Sequence, residues 1–528
     1  MRLIYLKIHQ AEACGNLLNG MVISLDRSEA NANGFSTLCF VGPNGTGKSQ
    51  VLQTIAEIFQ DAWHTHAPEQ ERSSPNKGLS FELIYDIVTE EQNRQKVKLS
   101  RLEKDRGAAV RLERAEGKGW LEVSSDDILY GKLLPPIVVG YTSGDNETLS
   151  LPFFKSRAGY AKDVTSAALD PNRSKSKIPN TRLLLIDYGT NLEVLIANLM
   201  LGPKKLCDKM LEHASLSGLA SWRCILQFAP PTISKTAPIN GRRGVKLTNE
   251  LEEILQKLRA CSTSQHHDKA SDTYTLDFFV DEQTLTAFRS HWSSPSDLYR
   301  SFHKFAMLND LAIPKKVRSR LTRQITRGRF ATRLPEPQDE HKVFRFEEVR
   351  FHSTKGSDAQ VDYVALSDGE HQQAQIFGVF SMITESNALF LLDEPESHFN
   401  PQWRVKFIDR LRSIPIPAET AREMILTSHA PFVPSDMRRE HVVIFRRLEG
   451  NIEARNPDNE TFGTSFDRIL KDCFEVDPPI SKVALKEIDR LMQEGDVDKI
   501  EKALPQIGAS VQKAFLIDHM EQLKEEEK

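Results

Sequence analysis

The feature that most constrains the fold of this chain is a glycine-rich loop that ends in Lys48 and Ser49. Its spacing, G-x-x-x-x-G-K-S, surrounds a phosphate with backbone N–H groups and brings a lysine to the outer phosphates of a nucleotide. Residues 37–41 before it fit a short buried strand, and apolar residues recur at helical spacing over 50–59. Strand, loop and helix together predict a phosphate site at a helix N-terminus. The predicted nucleotide-binding residues are Gly42, Pro43, Asn44, Gly45, Thr46, Gly47, Lys48 and Ser49.

A pair of carboxylates far downstream is the second signal. The apolar run 388–392 fits a strand buried on both faces, and Asp393 and Glu394 follow its C-terminal end. Ligands bind at that edge of open α/β sheets. We expect Asp393 and Ser49 to hold Mg²⁺, and Glu394 to orient and deprotonate an attacking water. An isolated Asp-Glu pair is commonly an acidic turn, but the glycine loop upstream favours the catalytic interpretation.

Two further motifs flank that strand. Ser367 and Glu370 form the S-x-x-E pattern of a helix-capping box, and Gly369 between them permits close approach of a ligand. All three are therefore candidate γ-phosphate contacts as well as helix-starting residues. Another predicted buried strand, 423–427, has Met424, Ile425 and Leu426 at its centre and is followed by Ser-His. Although such histidines are more often structural, His429 is a candidate catalytic group at the γ-phosphate.

In this order the four motifs resemble those of ABC-type ATPases of the SMC/RecF/OLD-like branch (AAA_21/AAA_15 type). The resemblance implies an ABC/SMC-head-like P-loop NTPase core of the α/β class, with ATP and Mg²⁺ as cofactors. It also implies that residues 366–373 are a signature motif that serves the ATP of another subunit. A head-to-tail homodimer, or a higher oligomer built from it, is therefore expected. The glutamine of the family's Q-loop is not assignable; its candidate segment is 138–147.

Within this branch the chain is most similar to the PtuA-type ATPases of Septu and retron-associated anti-phage systems. This similarity implies a regulatory ATPase that controls a separate HNH nuclease of the PtuB type through its oligomeric state. DNA, a retron reverse transcriptase and its msDNA are further candidate partners. Two alternatives remain open: a RecF/SMC-like DNA-repair ATPase that acts on DNA directly, and an AriA-like sensor ATPase of PARIS systems. Nuclease activity of this chain alone is not expected, because no Toprim-like or HNH-like cluster is found in the sequence.

Composition and spacing predict four segments. They are 1–151, the N-terminal half of the ATPase core with an antiparallel β lobe; 152–340, a mostly helical insertion; 341–460, the C-terminal half of the core; and 461–528, a helical C-terminal segment. Within the insertion, residues 155–177 are mixed, polar and basic and are expected to be mobile, and the pair His266-His267 is placed in a loop. The scattered cysteines and the lack of a signal-like N-terminus or long apolar run predict a cytoplasmic protein without membrane contact.

A basic run is the main surface signal. Residues 315–333 contain eight basic side chains and no acidic one, although the whole chain carries a net charge of only −4. Charge runs are usually solvated faces, but this one has no acidic partners in sequence. It therefore also predicts contact with a nucleic acid or an acidic protein partner. The candidate contacts are Lys315, Lys316, Arg318, Arg320, Arg323, Arg327 and Arg329.

Overall fold

The computed structural model describes residues 1–25, 27, 35–73, 75–102, 105, 109–143, 148–170, 177–186, 190–212, 215–231, 233, 242, 244–326, 337–354, 359–414 and 420–526. The chain divides into two compact units, Met1–Gly463 and Thr464–Lys528. No helix in the described part of the chain is long and apolar enough to cross a membrane.

A largely parallel sheet lies at the centre of the first unit. Within the described ranges its strands are, in spatial order, β18 (Asn451–Arg455), β17 (Val442–Leu448), β3 (Phe35–Val41), β16 (Arg422–Thr427), β15 (Leu389–Asp393), β8 (Val138–Thr142) and β9 (Leu183–Ile186). Every neighbouring pair is parallel except β17 with β18. The strands β8, β15 and β16 are buried along their whole length, as expected for parallel strands covered on both faces.

An antiparallel sheet forms the predicted β lobe. Its described strands are, in spatial order, β2 (Val22–Ser24), β1 (Arg2–Ala11), β4 (Leu79–Val88), β5 (Arg94–Arg101), β6 (Arg111–Glu116) and β7 (Gly119–Val123). Alternate residues of β4 face the core, and the Tyr85 ring meets Phe59 of helix α1 (Lys48–His66) with 5.6 Å between centroids. This sheet, α1 and the central sheet share one hydrophobic cluster, which fixes the start of α1 above the central sheet.

A third, antiparallel sheet was not predicted. Its described strands are, in spatial order, β11 (Ser264–Asp268), β12 (Thr273–Phe279), β10 (Leu216–Gln227), β13 (Phe344–Ser353) and β14 (Gln360–Asp362). Trp222 of β10 stacks on Phe278 of β12 with 3.8 Å between ring centroids. Helices cover a little under half of segment 152–340, which also supplies β9 and three strands of this sheet. The loop predicted around His266 is wrong, because pairing with β12 makes this polar segment an edge strand.

Helices surround these sheets. Beyond α1, the α-helices among the described residues of the first unit are α2 (Ile128–Lys132), α3 (Ser150–Leu169), α4 (Asn191–Leu201), α5 (Lys204–Leu211), α6 (Asn249–Cys261), α7 (Glu282–His291), α8 (Pro295–Met307), α9 (Lys315–Thr326), α10 (Asp368–Met382), α11 (Pro401–Arg412) and α12 (Phe432–Ser435). Contrary to the mobile segment expected from residue 155 onward, the chain is helical as far as Leu169, where Tyr160, Ala161 and Val164 supply a buried face.

The second unit is helical, as predicted. Its helices are α13 (Phe466–Phe474), α14 (Lys482–Glu494), α15 (Val497–Ala503) and α16 (Val511–Glu526). Ile488 and Leu491 of α14 pack with Ile500 of α15 and with Leu516 and Met520 of α16. The predicted fold class, an α/β P-loop core with an antiparallel lobe, a mostly helical insertion and a helical C-terminal segment, is confirmed.

Candidate nucleotide-binding site

Three adjacent parallel strands deliver the predicted motifs to one edge of the central sheet. β3 leads into the glycine loop, β15 ends at Asp393, and β16 ends one residue before Ser428. Because β16 pairs in parallel with both β3 and β15, the carboxyl ends of the three strands lie side by side. Strand order thus brings together motifs that are far apart in the sequence.

The shape of the loop depends on its glycines. Gly42, Gly45 and Gly47 have φ angles of +133°, +76° and +86°, which L side chains rarely adopt. A Cβ at Gly42 would also lie 2.2 Å from the carbonyl oxygen of Phe445 in β17, whereas a Cβ at Gly45 would meet nothing within 4 Å. Glycine is therefore required at position 42 by packing as well as by conformation.

Lys48 folds back over this loop. Its Nζ donates hydrogen bonds to the carbonyl oxygens of Gly42 at 2.9 Å and Pro43 at 3.0 Å, and Thr46 Oγ1 donates to Pro43 at 2.8 Å. Burial lowers the pKa of Lys48 to about 8, against the opposing influence of the Glu394 and Asp393 carboxylates. A phosphate beside Nζ would add negative charge and return this pKa toward its ordinary range. Asn44 is exposed at the tip of the loop.

Asp393 lies beside Ser49. The Ser49 hydroxyl donates to Asp393 Oδ1 at 2.9 Å, and the Thr427 hydroxyl donates to the same oxygen at 2.6 Å. The carboxylate is buried, and burial raises its pKa. A carboxylate and a serine hydroxyl at the end of a glycine loop are the oxygen donors that Mg²⁺ takes in nucleotide sites, so the residues present fit this ion. Thr427 was missed, although a hydroxyl residue at the end of β16 was visible in the sequence.

Glu394 and His429 form a pair at the same edge. Nε2 of His429 lies 3.0 Å from Oε1 of Glu394, and this hydrogen bond is the main cause that lowers the pKa of Glu394. Glu394 has a left-handed φ of +47°, and its backbone N donates to Thr427 Oγ1 at 3.0 Å. Strained backbone of this kind is held in place by its surroundings and is common at functional sites. The pair therefore presents an ionised, partly exposed carboxylate beside Lys48.

A buried acid behind the pair was also missed. Glu396 is 2% exposed and accepts a hydrogen bond from the Ser428 hydroxyl. The backbone N of Ser428 donates to Phe40 of β3 at 3.0 Å, so this contact joins all three strand ends. Burial raises the pKa of Glu396 to about 7, and its Oε2 has no hydrogen-bond partner among the described residues. The second acid of the D-E-P-E stretch was the available signal.

The candidate signature residues lie at the exposed start of α10. Ser367 and Glu370 form a reciprocal capping box, with Ser367 N and Oγ each 2.8 Å from Glu370 Oε2. A Cβ at Gly369 would lie 3.2 Å from the carbonyl oxygen of His398. Among the described contacts none joins Ser367 or Glu370 to the glycine loop. One chain thus brings Lys48, Ser49, Asp393, Glu394 and His429 together but does not bring the signature to them.

The basic run begins on α9. Lys315, Lys316, Arg320 and Arg323 are exposed, and Arg318 is partly buried. Arg327 and Arg329 lie outside the described residues, as does the 144–147 part of the Q-loop candidate. The described residues contain no group of three or more His, Cys, Asp or Glu side chains that could hold a metal ion.

Comparison with known proteins agrees with a nucleotide-binding site of the P-loop class. Residues 239–436 match the family model AAA_21, described as "AAA domain, putative AbiEii toxin, Type IV TA system". This match includes the Ser367, Asp393 and His429 motifs but not the glycine loop. The fold is that of a P-loop ATPase core, and the part of the chain that matches this family model carries three of the four predicted motifs. No protein matches in a comparison with curated sequences.

Several solved structures are similar at low identity. The Smc head domain of Pyrococcus furiosus bound to the C-terminal domain of ScpA is 10% identical, with a TM-score of 0.32 over 89% of this chain and 98% of that one. The SMC head domain of Thermotoga maritima is 10% identical, with a TM-score of 0.30 over 87% and 100%. The recombination mediator RecF is 11% identical, with a TM-score of 0.30 over 86% and 97%. Because these scores are low, the site assignment rests on the residues described above.

Proposed function

We propose that this chain binds and hydrolyses ATP in a Mg²⁺-dependent reaction at the edge formed by β3, β16 and β15. The observation that carries the proposal is a cluster of hydrogen bonds at this edge. Ser49 donates to Asp393, Glu394 pairs with His429, and Lys48 donates to carbonyl oxygens of the glycine loop. Each side chain is of the type that phosphoryl transfer to water uses, and all of them lie at one edge of the sheet.

The chemistry of each side chain indicates its role in this proposed reaction. Lys48 and the N–H groups of the glycine loop hold the phosphates, and Ser49 and Asp393 hold Mg²⁺, which neutralises phosphate charge when bound. Glu394 accepts a proton from the attacking water at its carboxylate, since its lowered pKa keeps it ionised. His429 orients that carboxylate and, by turning toward the γ-phosphate, supplies a hydrogen-bond donor there.

A second copy of the chain completes this proposed site. Ser367, Gly369 and Glu370 start an exposed helix and make no described contact with the glycine loop of their own chain. In a head-to-tail dimer each signature would instead cap the nucleotide of the other protomer. A γ-phosphate that contacts both protomers stabilises the closed dimer. Hydrolysis of ATP removes this contact and lets the dimer open.

More specifically, we propose that this chain is a cytoplasmic regulatory ATPase of an anti-phage complex that contains a separate HNH nuclease of the PtuB type. Support comes from the resemblance of the motifs to PtuA-type ATPases and from the family model, whose description names a putative toxin of a toxin–antitoxin system. A RecF-like ATPase that acts on DNA directly is the second candidate, and the exposed basic side chains of α9 favour it.

Two experiments test these proposals at their two levels. Phosphate release from ATP by the purified protein should require Mg²⁺ and be lost in Lys48→Ala. If the wild type releases no phosphate, and Lys48→Ala binds ATP as the wild type does, the ATPase proposal is wrong. Affinity purification of the tagged chain from native cells should recover an HNH nuclease. Recovery of DNA alone would instead support the RecF-like role.

A further inference from the structure

A cleft with a volume of about 460 Å³ lies between helices α3 and α9, in the first unit. Five cations line it and are called its rim below: Arg72 after α1, Lys155 and Lys162 on α3, and Lys315 and Arg318 on α9. Only the last two belong to the basic run seen in the sequence. The fold therefore adds cations from a distant segment to the same cleft, and this concentrates positive charge that neither segment has alone.

Carboxylates compensate only part of the positive charge that lines the cleft. Arg72 is held by Asp163 at 2.6 Å, but the side chains of Lys155, Lys162 and Lys315 form no ion pair with another described residue. The carboxylate that lines the cleft, Asp310, is partly buried, and desolvation raises its pKa against the opposing influence of Arg157 and Arg318. Uncompensated cations around a concave surface attract anions more strongly than the same charges on a flat face.

Apolar side chains also line the cleft. They are Leu169, Leu311, Ile313 and Leu321, and they are called the floor below. A volume of this size is in the range of small-ligand sites, of roughly 300–1,000 Å³. An unpaired nucleotide has the matching chemistry, because its base has an apolar face and its phosphate is an anion. A duplex keeps its bases stacked inside and would leave the floor without a partner.

The cations continue beyond the cleft along α9. Lys316, Arg320 and Arg323 follow the i, i+4, i+7 spacing of one helical face, next to the face that carries Lys315 and Arg318. At 1.5 Å per residue the helix is about 18 Å long, a length that spans several phosphates of a strand. The continuous row favours a polymer over a free mononucleotide.

We propose that the cleft between α3 and α9 binds single-stranded nucleic acid. An unpaired base lies over the leucine and isoleucine floor, and backbone phosphates lie on Lys155, Lys162 and Lys315 and on the outer row of α9. This inference does not rest on ATP hydrolysis, because the cleft shares no residue with the glycine loop or the Asp393 cluster.

Fluorescence anisotropy with a labelled 20-nucleotide oligothymidine tests the proposal directly. The test variant is Lys162→Glu with Lys315→Glu, and the matched control is Lys204→Glu with Lys205→Glu on α5; all four lysines are exposed, and the charge change is equal. Each pair is made in a Lys48→Ala background without ATP, so that a failure of the ATP site does not affect the result. Thermal melts verify that both variants fold.

The expected result is a loss of at least tenfold in affinity for the Lys162/Lys315 variant only. Its salt dependence should also become shallower, by about 1.4 in the slope of log K against log salt for two lost phosphate contacts. Equal affinity of the two double variants would overturn the proposal. Competition experiments give a second criterion. If dTMP, a 20-base-pair duplex or polyglutamate of equal charge displaces the labelled strand as effectively as unlabelled oligothymidine does, the proposal is also overturned. Poor competition from all three supports a single strand.

Discussion

Nε2 of His429 and Oε1 of Glu394 lie 3.0 Å apart, although the two residues come from different strand ends. The contact keeps Glu394 ionised and fixes its orientation in a left-handed backbone position. In the proposed reaction this carboxylate is the proton acceptor, so its removal should affect the chemical step more than nucleotide binding.

Glu394→Gln should reduce ATP hydrolysis by about 10²–10⁴-fold, the range in which a general base contributes, and leave ATP binding within a few-fold of the wild type. The amide keeps the shape of the side chain but cannot accept the proton. Phosphate release and calorimetric ATP binding measure the two effects, and Glu453→Gln on the exposed strand β18 is the control. Hydrolysis within threefold of the wild type would exclude Glu394 as the base.

ATP binding should take up protons near pH 8. In the protein without nucleotide, burial lowers the pKa of Lys48 to about 8. About half of the molecules therefore have an unprotonated Lys48 amine at pH 8, and bound phosphates should cause this amine to take up a proton. Calorimetric titrations in two buffers of different ionisation enthalpy should therefore differ in apparent enthalpy by about half of the buffers' difference. The control titration at pH 6.5, where Lys48 is already protonated, should show less uptake. Buffer-independent enthalpy at pH 8 would contradict the burial of this amine.

Glu396→Gln should flatten the dependence of stability on pH. The folded-state pKa of about 7 lies above the ordinary value of 4.5, so the folded protein retains a proton that the unfolded chain loses as pH rises. Stability contributed by this group is present below pH 4.5 and is lost between pH 4.5 and 7, by about 3 kcal/mol in total. Denaturant unfolding at pH 5, 6, 7 and 8 should show that the free energy of unfolding of the variant rises relative to that of the wild type as pH increases. Parallel profiles for the two proteins would be the contrary outcome.

Gly42→Ala should be far more disruptive than Gly45→Ala. Both positions have positive φ, but only the methyl group at position 42 would meet a backbone oxygen, that of Phe445 at 2.2 Å. We expect Gly45→Ala to cost about 1–2 kcal/mol of stability from conformation alone, and Gly42→Ala to cost more and to abolish ATP binding. Thermal denaturation and ATP binding compare the two variants. Equal losses would show that packing against β17 does not shape the loop.

The sequence predicted what is encoded locally. The glycine loop with its strand and helix, the Asp393-Glu394 pair after an apolar run, and the capping box at Ser367 each depend on contiguous residues. Thr427 and the Glu396–Ser428 contact were missed because they depend on which strands lie side by side. The close approach of Phe445 to Gly42 is equally invisible, since it comes from a strand much later in the chain.

The third sheet was missed for a related reason. β11 is polar and exposed along its whole length, so it has no apolar alternation, and only its pairing with β12 makes it a strand. Similarly, segment 155–169 appears irregular in composition, while its buried side is a regular helical face. The cleft between α3 and α9 depends on both of these helices and so could not be predicted from the basic run alone.

The most direct test of the composite ATP site mixes two inactive variants. Lys48→Ala lacks the phosphate-binding lysine, and Ser367→Arg blocks the signature with a bulky charged side chain; each should be inactive alone. If the signature acts on the nucleotide of the partner, a mixed dimer has one intact site. An equimolar mixture should then regain about a quarter of the wild-type rate of ATP hydrolysis, since half of the dimers are mixed and each has one working site of two. A mixture as inactive as its components, with mixed dimers shown to form, would contradict the account.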